Sequence, residues 1–544
     1  MNTEKILKYF IWIGLIGICF IPLLVRSNYY FPFIVPKTLA FRIIVEVLFL
    51  AFLGLAVLKK EYRSKINLVL VLFFLYLITV FLSSALAGTF QLSFWSNNER
   101  SEGLLLMVHL FLFLLILSNF LRRIKDWMLL FEFSFLSSLF VSYIALGQHL
   151  NWSWLIESSG GARLASTLGN AGYVAGYLIF NIFFGLILFF FKESKYLSWF
   201  RTYYILGILL QVFVVFNTLT RGGIIALGFS IFVLICYFIF YHSKSNKLIR
   251  NSGIAVLLLV AVFGSFLFLN KEASWVKENN VLERLTSISS KAVTAQNRLM
   301  TWNSAYQGFK EKPILGYGYE NFYQVFDKYF NPGIYRHAGS VIWFDRAHNI
   351  VFDRLITGGF AGLFLYLALL FAPLYYLWKR FIDKGDKNYL MPVVFTLVML
   401  AYFIQNFFIF EALVTYIPLF IVLAFLSQFC PNYFEKFSES KKPYLVLLII
   451  SIIIFLPVFF SVNVRLASAN KGLIDAMIKT QKKETEASYT QFVKVIEINT
   501  PYNQEYRQHF AEFVTGSINS NLVDADWQKK AASRMIQEFE QKIE

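Results

Sequence analysis

The sequence predicts an all-α protein, a polytopic transmembrane bundle of about thirteen helices with a small helical tail, and two observations carry that prediction. Of the 544 residues, 57% are hydrophobic and 19% aromatic, an apolar share well above that of soluble domains. Apolar runs long enough to cross a hydrocarbon core recur at 8–25, 37–58, 66–87, 103–120, 127–147, 168–191, 202–218, 222–241, 252–269, 350–378, 389–408, 411–428 and 443–461. The first run follows Lys5 and Lys8 as a secretory signal would, but no small-residue cleavage pattern follows it, so it reads as a retained helix.

The net charge of +17 is distributed over short connections: 59–65, 122–125, 192–201, 244–250, 379–387 and 436–442. Every second connection is basic, which is the positive-inside pattern and assigns these loops to the cytoplasm. The charge therefore encodes topology, and no nucleic-acid partner is expected. The same alternation puts the polar stretch from about 270 to 349 outside, and an odd helix count puts the carboxy-terminal segment there too. Chemistry on that face has no ATP supply. Cys19, Cys236 and Cys430 are too scattered for a disulfide framework or metal-ligand spacing, so neither metal nor cofactor is expected.

Two domains follow from composition: a transmembrane unit over 1–465 and an external helical unit over 466–544, the latter rich in Lys, Glu, Gln and Ala. The stretch from Tyr489 to Asn503, followed by Tyr506 and Phe510, resembles one tetratricopeptide unit, with an amphipathic helix ending at an Asn-x-Pro turn. A plain helical hairpin stands beside it as an equal alternative. Within the long external loop, Leu299, Trp302, Ala305 and Tyr306 recur at helical spacing over 295–310, and a second short helix is expected at about 319–330. Gly316 and Gly318 between them read as a structural turn, since the third glycine and the preceding strand of a dinucleotide fingerprint are missing.

Candidate chemistry concentrates on the outer side. The loop ends in Phe344-Asp345-Arg346-Ala347-His348-Asn349, directly before the next apolar run. An imidazole at that boundary is able to take a proton from a hydroxyl at neutral pH; the competing reading is an interfacial residue capping the next helix with Asn349. Arg163 and Arg221 tip the balance. Arg163 enters a span within Gly160-Gly-Ala-Arg-Leu-Ala-Ser-Thr-Leu-Gly-Asn170, and Arg221 lies in Thr218-Leu-Thr-Arg-Gly-Gly223, between two spans with almost no loop. A guanidinium so near hydrocarbon is costly unless it snorkels, pairs or holds an anion, and the Gly222-Gly223 pair is expected to form a tight turn that admits one. Diphosphate matches the fork of Arg.

Lys37, Arg100, Arg346, His337 and Asn349 are secondary candidates. Lys37 is equally suited to anchoring a helix end, Arg100 to pairing with Glu99 or Glu102, and Glu411 to orienting a neighbour or to plain solvation. His109, His242 and His509 are read as a packed histidine and two solvated ones.

Taken together these segments resemble the O-antigen ligase and O-antigen polymerase family of bacterial membrane glycosyltransferases, over about residues 31–428. The parts are Phe94-Trp-Ser-Asn-Asn-Glu-Arg-Ser-Glu-Gly103, Arg163 with Gly169-Asn170, Thr220-Arg221, Asn297-Arg-Leu-Met-Thr-Trp302 leading to Pro313-Ile-Leu-Gly-Tyr-Gly318, and His348-Asn349. The resemblance implies a metal-independent, inverting enzyme of the GT-C type. It would move a glycan from an undecaprenyl-diphosphate carrier to a lipid, protein or glycan acceptor on the outer face of the cytoplasmic membrane. It further implies that Arg163 and Arg221 grip the diphosphate while His348 activates the acceptor hydroxyl. The thirteenth span and the tail depart from ligases acting on lipid A core and are similar to relatives that glycosylate proteins. Ligase, polymerase and protein oligosaccharyltransferase share these residues. A polysaccharide transporter or flippase would instead show charged residues deep in several helices and repeated halves, and a scaffold would not depend on His348.

Overall fold

The computed structural model describes residues 3–540 apart from 64, 193–196, 243–246, 288–292, 337–342, 386–387, 434–439 and 521–522. His337 lies outside the described residues. The chain is almost wholly helical. In order come α1 (Thr3–Phe20), α2 (Val35–Leu58), α3 (Leu68–Leu86), the short α4 (Phe90–Trp95), α5 (Leu104–Phe120), α6 (Ile124–His149), α7 (Ala171–Phe191), α8 (Leu197–Asn217), α9 (Arg221–Tyr237) and α10 (Lys247–Leu269). The long connection contains α11 (Ser274–Lys277), α12 (Asn280–Thr286), α13 (Val293–Glu311) and α14 (Phe322–Lys328). Then follow α15 (Ile350–Asp383), α16 (Leu390–Asn406), α17 (Leu413–Leu426), α18 (Lys442–Val458) and the tail helices α19 (Arg465–Gln481), α20 (Thr485–Glu497), α21 (Asn503–Asn519) and α22 (Ala525–Glu540).

Ten of these helical segments are long and apolar enough to cross a membrane, and α5, α16 and α17 are shorter apolar helices, so each of the thirteen expected runs is helical. The chain is a multi-pass membrane protein. Helices apolar on all sides sort into two environments. Every residue of α17 is buried in the bundle, whereas on α10 only Leu267 is buried and the rest is left for lipid.

Successive connections alternate between two faces. On one, the loops after α1, α3, α6, α8, α10 and α16 meet: Lys37 Nζ, at the start of α2, donates to the Thr167 carbonyl at 2.8 Å, and Leu164 N donates to Asn217 O at 3.4 Å. On the other face Ile66–Asn67 pairs antiparallel with Asn432–Tyr433. All the outer-side candidates that the structure describes fall on the first face.

The long connection has a core of its own, in which Ala305, Tyr317, Phe322, Val325, Phe326 and Ile334 bury against Phe344, Ala347 and Ile356. It is stitched into α15 at a break. Gly359 adopts φ 62°, ψ −160° inside that helix, and a Cβ there would sit 2.2 Å from the Ile314 carbonyl oxygen. The freed helix groups are taken up by the turn: Phe360 N donates to Pro313 O at 2.7 Å and Tyr317 N to Ile356 O at 2.6 Å. Gly316 (φ 69°) and Gly318 (φ 87°) supply that turn, as expected. The first two turns of α15 are thereby aimed independently of the rest of the helix.

The composition change at 466 does not coincide with a helix end. From Lys442 the helix runs through a π-helical stretch, Phe459–Val464, directly into α19. Tail helices α19 to α22 pack consecutively, and Thr500-Pro501 forms the turn between α20 and α21. Their core, including Leu466, Leu473, Phe492, Tyr506 and Phe510, is continuous with Val35 and Leu39 of the membrane bundle.

Candidate active site

A cavity of about 510 Å³ opens on the loop-rich face, between the ends of α7, α9 and α16 and the long connection. Arg163, Arg221, Arg284, Arg298 and His348 all line it, with Trp302, Gln405 and the apolar Ile225, Phe408 and Ile409 completing the wall. The structure thus brings together the three residues singled out in the sequence and adds Arg284 and Arg298.

Three of the four guanidiniums are held by neutral groups. Arg163 donates from Nε to Thr218 O (3.1 Å) and from Nη2 to Thr220 Oγ1 (3.1 Å). Arg221 donates from Nη2 to the Ser287 carbonyl (3.0 Å) and Oγ (3.1 Å), and Arg284 from Nε to Leu219 O (3.0 Å). Arg298 makes no hydrogen bond or ion pair among the described residues, and none of the four forms an ion pair there. No carboxylate lines the cavity among those residues. Burial first, and the neighbouring guanidiniums second, hold Arg298 and Arg163 below the usual arginine range. Four clustered cations without a counter-ion are a costly arrangement that an anion relieves. Arg221 is also the first residue of α9.

Gly222 and Gly223 differ from expectation. They lie inside the first turn of α9 rather than in a tight turn, and the left-handed residue falls three positions before Gly222, at Leu219 (φ 54°). Their missing side chains let helices approach: a Cβ on Gly222 would meet Phe408 Cβ at 3.1 Å, and one on Gly223 would meet Ala175 Cβ at 2.8 Å.

His348 lines the same cavity with φ 51°, a left-handed conformation unusual for a residue with a Cβ. Its Nδ1 lies 3.1 Å from the Arg346 carbonyl, which as an acceptor assigns the proton to Nδ1 and leaves the Nε2 lone pair open. The ring is wedged edge-to-face between Phe344 and Phe410, with centroids 5.4 and 4.9 Å away. Burial, then the Arg298 and Arg100 charges, push His348 down to about 4 despite the Arg346 carbonyl, so the ring is neutral at pH 7.

Every backbone neighbour of His348 is pinned. Asp345 takes the Arg100 fork at 3.0 Å (Nε) and 3.1 Å (Nη2). Buried Arg346 pairs with Glu320 at 2.6 Å and Glu102 at 3.5 Å. Ala347 donates its N–H to Asp353 Oδ1 at 2.8 Å and accepts from Trp302 Nε1 at 2.9 Å. Asn349 caps α15 through Oδ1, with Val351 N at 2.9 Å. The capping role foreseen for Asn349 is thus real, and it accompanies the cavity placement of His348 instead of replacing it.

Other sequence expectations change. Arg100 pairs with Asp345 rather than with Glu99 or Glu102, and its guanidinium lies 4.0 Å over the Phe410 ring. Arg346 is engaged by carboxylates and does not line the cavity. Lys37 is buried, donating to the Phe33 carbonyl at 2.6 Å and to Thr167 O, also away from the cavity. Glu411 is not solvated: it is 3% exposed, pairs with Arg354 and accepts from Tyr366, Tyr402 and Tyr416. His109 is packed as expected, bridging Leu105 O and Glu46, while His509 contacts Glu512 and the Tyr30 ring rather than solvent alone. Among the described residues no three His, Cys, Asp or Glu side chains converge as metal ligands.

The polytopic helical bundle thus carries a cationic cavity on its loop-rich face. Residues 206–367 match the family model described as O-antigen ligase, a match that supports a membrane enzyme of the O-antigen ligase or polymerase type. The matched stretch includes Arg221, Arg284, Arg298 and His348. No curated protein matches the chain.

Proposed function

We propose that this protein transfers a glycan from an undecaprenyl-diphosphate carrier to an acceptor hydroxyl at the outer face of the bacterial cytoplasmic membrane. The observation that carries this reading is the grouping, in one cavity, of four arginines that have no ion-pair partner among the described residues with a neutral histidine whose Nε2 is open. A diphosphate seats among Arg163, Arg221, Arg284 and Arg298. The anomeric carbon then lies on the His348 side of the phosphates. Nε2 takes the proton of the acceptor hydroxyl, the new bond forms from acceptor oxygen to anomeric carbon, and the bond from that carbon to the phosphate oxygen breaks. The electron pair leaves with the lipid diphosphate, whose growing charge the guanidiniums stabilise, and attack from the opposite side inverts the configuration. None of these steps uses a metal or cofactor.

The donor also answers a weakness of the imidazole, since a histidine held near 4 is a feeble base. Bound diphosphate offsets the Arg298 and Arg100 charges that depress it, and so raises imidazole basicity when it is needed. Donor binding is the direct test. Purified protein in nanodiscs is expected to bind a short polyprenyl diphosphate at least about tenfold more tightly than the monophosphate, the difference of one charge-assisted contact or more. Equal affinity for the two would remove the diphosphate assignment.

A further inference from the structure

We infer that the helical tail is a positioning part of the active site, acting through the loop 95–102 that grips the residues ahead of His348. The kinetic side of this inference rests on the transfer reading above; its structural side does not.

The loop is not self-supporting. Ser96 (φ 65°) and Ser101 (φ 53°) both hold left-handed conformations, which persist in residues other than glycine only where surroundings impose them. At Gly103 a Cβ would meet the Phe94 carbonyl oxygen at 2.3 Å, so the chain folds tightly back on itself. Internal bonds supply some support, from Arg100 N to Asn97 Oδ1 (2.8 Å) and from Ser101 Oγ to Asn98 O (3.0 Å). Arg42 of α2 adds one more, to Ser101 O at 3.2 Å.

The tail adds two further supports. Asn470 of α19 and Asn98 are both fully buried and exchange reciprocal amide bonds, each nitrogen 3.1 Å from the other's oxygen. Asn470 is itself fixed by Leu466 O (3.1 Å) and the Tyr506 hydroxyl (3.3 Å). Tyr502 at the head of α21 donates its hydroxyl to the Trp95 carbonyl at 3.1 Å. Buried amides lose a full desolvation cost when unpaired, so the loop position and tail docking are tied to one another.

On its other side the loop presents Arg100 to Asp345 and Glu102 to Arg346, the third and second residues before His348. A path therefore runs from Asn470 to Asn98, along the loop to Arg100, and from Arg100 to Asp345 and to Phe410, the ring that packs on the imidazole. His348 and its backbone need tenths-of-an-ångström placement to act as a base, and its left-handed φ makes it sensitive to slack in that path.

The test uses the full chain with Asn470→Leu and the milder Tyr502→Phe, which removes one hydroxyl. Hydrogen exchange by mass spectrometry is expected to speed up by about tenfold or more over 344–349 in Asn470→Leu and less in Tyr502→Phe, with α6 unchanged. With donor and acceptor supplied, kcat is expected to fall at least about tenfold in Asn470→Leu with donor affinity kept within about twofold. Unaltered exchange over 344–349 in both variants overturns the inference, and so does exchange that rises equally throughout the bundle, because that reports loss of fold. A wild-type protein that transfers nothing sinks the functional reading instead, while exchange still decides the coupling.

Discussion

Arg100 closes a bidentate fork on Asp345, 245 positions away in sequence, and the same guanidinium stacks on Phe410, the ring that flanks His348. One side chain thereby fixes both the segment leading into the imidazole and one wall of its slot. The fork requires planar geometry that lysine lacks. Arg100→Lys and Asp345→Asn are each expected to lower kcat by about tenfold or more while leaving donor affinity nearly unchanged. Steady-state kinetics with a titrated donor checks this, and a variant that loses donor affinity alone would place Arg100 at the diphosphate.

The arginines of the cavity should behave oppositely. Arg298→Ala removes a cation with no hydrogen-bond or ion-pair partner among the described residues, so its loss is expected to weaken donor binding by about 10- to 100-fold, the span of one charge-assisted hydrogen bond. Arg221→Lys retains charge but loses the fork, and is expected to lose most activity. Unchanged turnover in Arg221→Lys would take Arg221 out of the diphosphate site. Calorimetric binding of a short polyprenyl diphosphate separates the two effects.

His348 gives a pH dependence with a defined sign. Its neutral form is the active one and burial with nearby guanidiniums pushes it down to about 4, so kcat/KM is expected to hold from neutral pH downward and to be lost as pH falls through about 4. Bound donor offsets Arg298, so the acid limb of kcat is expected to lie at higher pH than that of kcat/KM. Coincident limbs would contradict substrate-assisted basicity.

Tail docking carries a second pH dependence. Burial first, and the Glu99 carboxylate second, push Glu505 up to about 7, with Asn98 pulling the other way and Tyr30 alongside. An acid whose folded value lies above its usual one binds its proton more tightly in the docked state. Docking is therefore strongest at acidic pH and weakens as pH rises from the usual carboxylate range through about 7. Hydrogen exchange over α21 at pH 5.5 and pH 8, about one and a half units below and one unit above that value, checks the trend, and Glu505→Gln is expected to flatten it.

Much of this was legible in sequence for physical reasons. Lipid demands long apolar helices, so hydropathy located the ten long enough to span and the three shorter apolar ones, and charges at helix entrances are costly enough to mark Arg163, Arg221 and His348. Arg284 and Arg298 escaped because a charged residue in a polar loop is ordinary. One signal was present: Arg298 shares a helical face with Ala295 and Trp302, and all three line the cavity. The Arg100–Asp345 and Asn98–Asn470 pairs join positions whose proximity depends on the whole bundle, and no local pattern announces them. Gly222 and Gly223 misled because a glycine pair serves close helix packing as readily as a turn.

The central claim is transfer with His348 as the base. It is tested most directly by incubating purified wild-type and His348→Ala protein with a polyprenyl-diphosphate glycan and candidate lipid, glycan and peptide acceptors, and weighing the products by mass spectrometry. The account predicts product from wild type and none above background from His348→Ala, with the product mass distinguishing ligation, polymerisation and protein modification. Equal product from both proteins would contradict it.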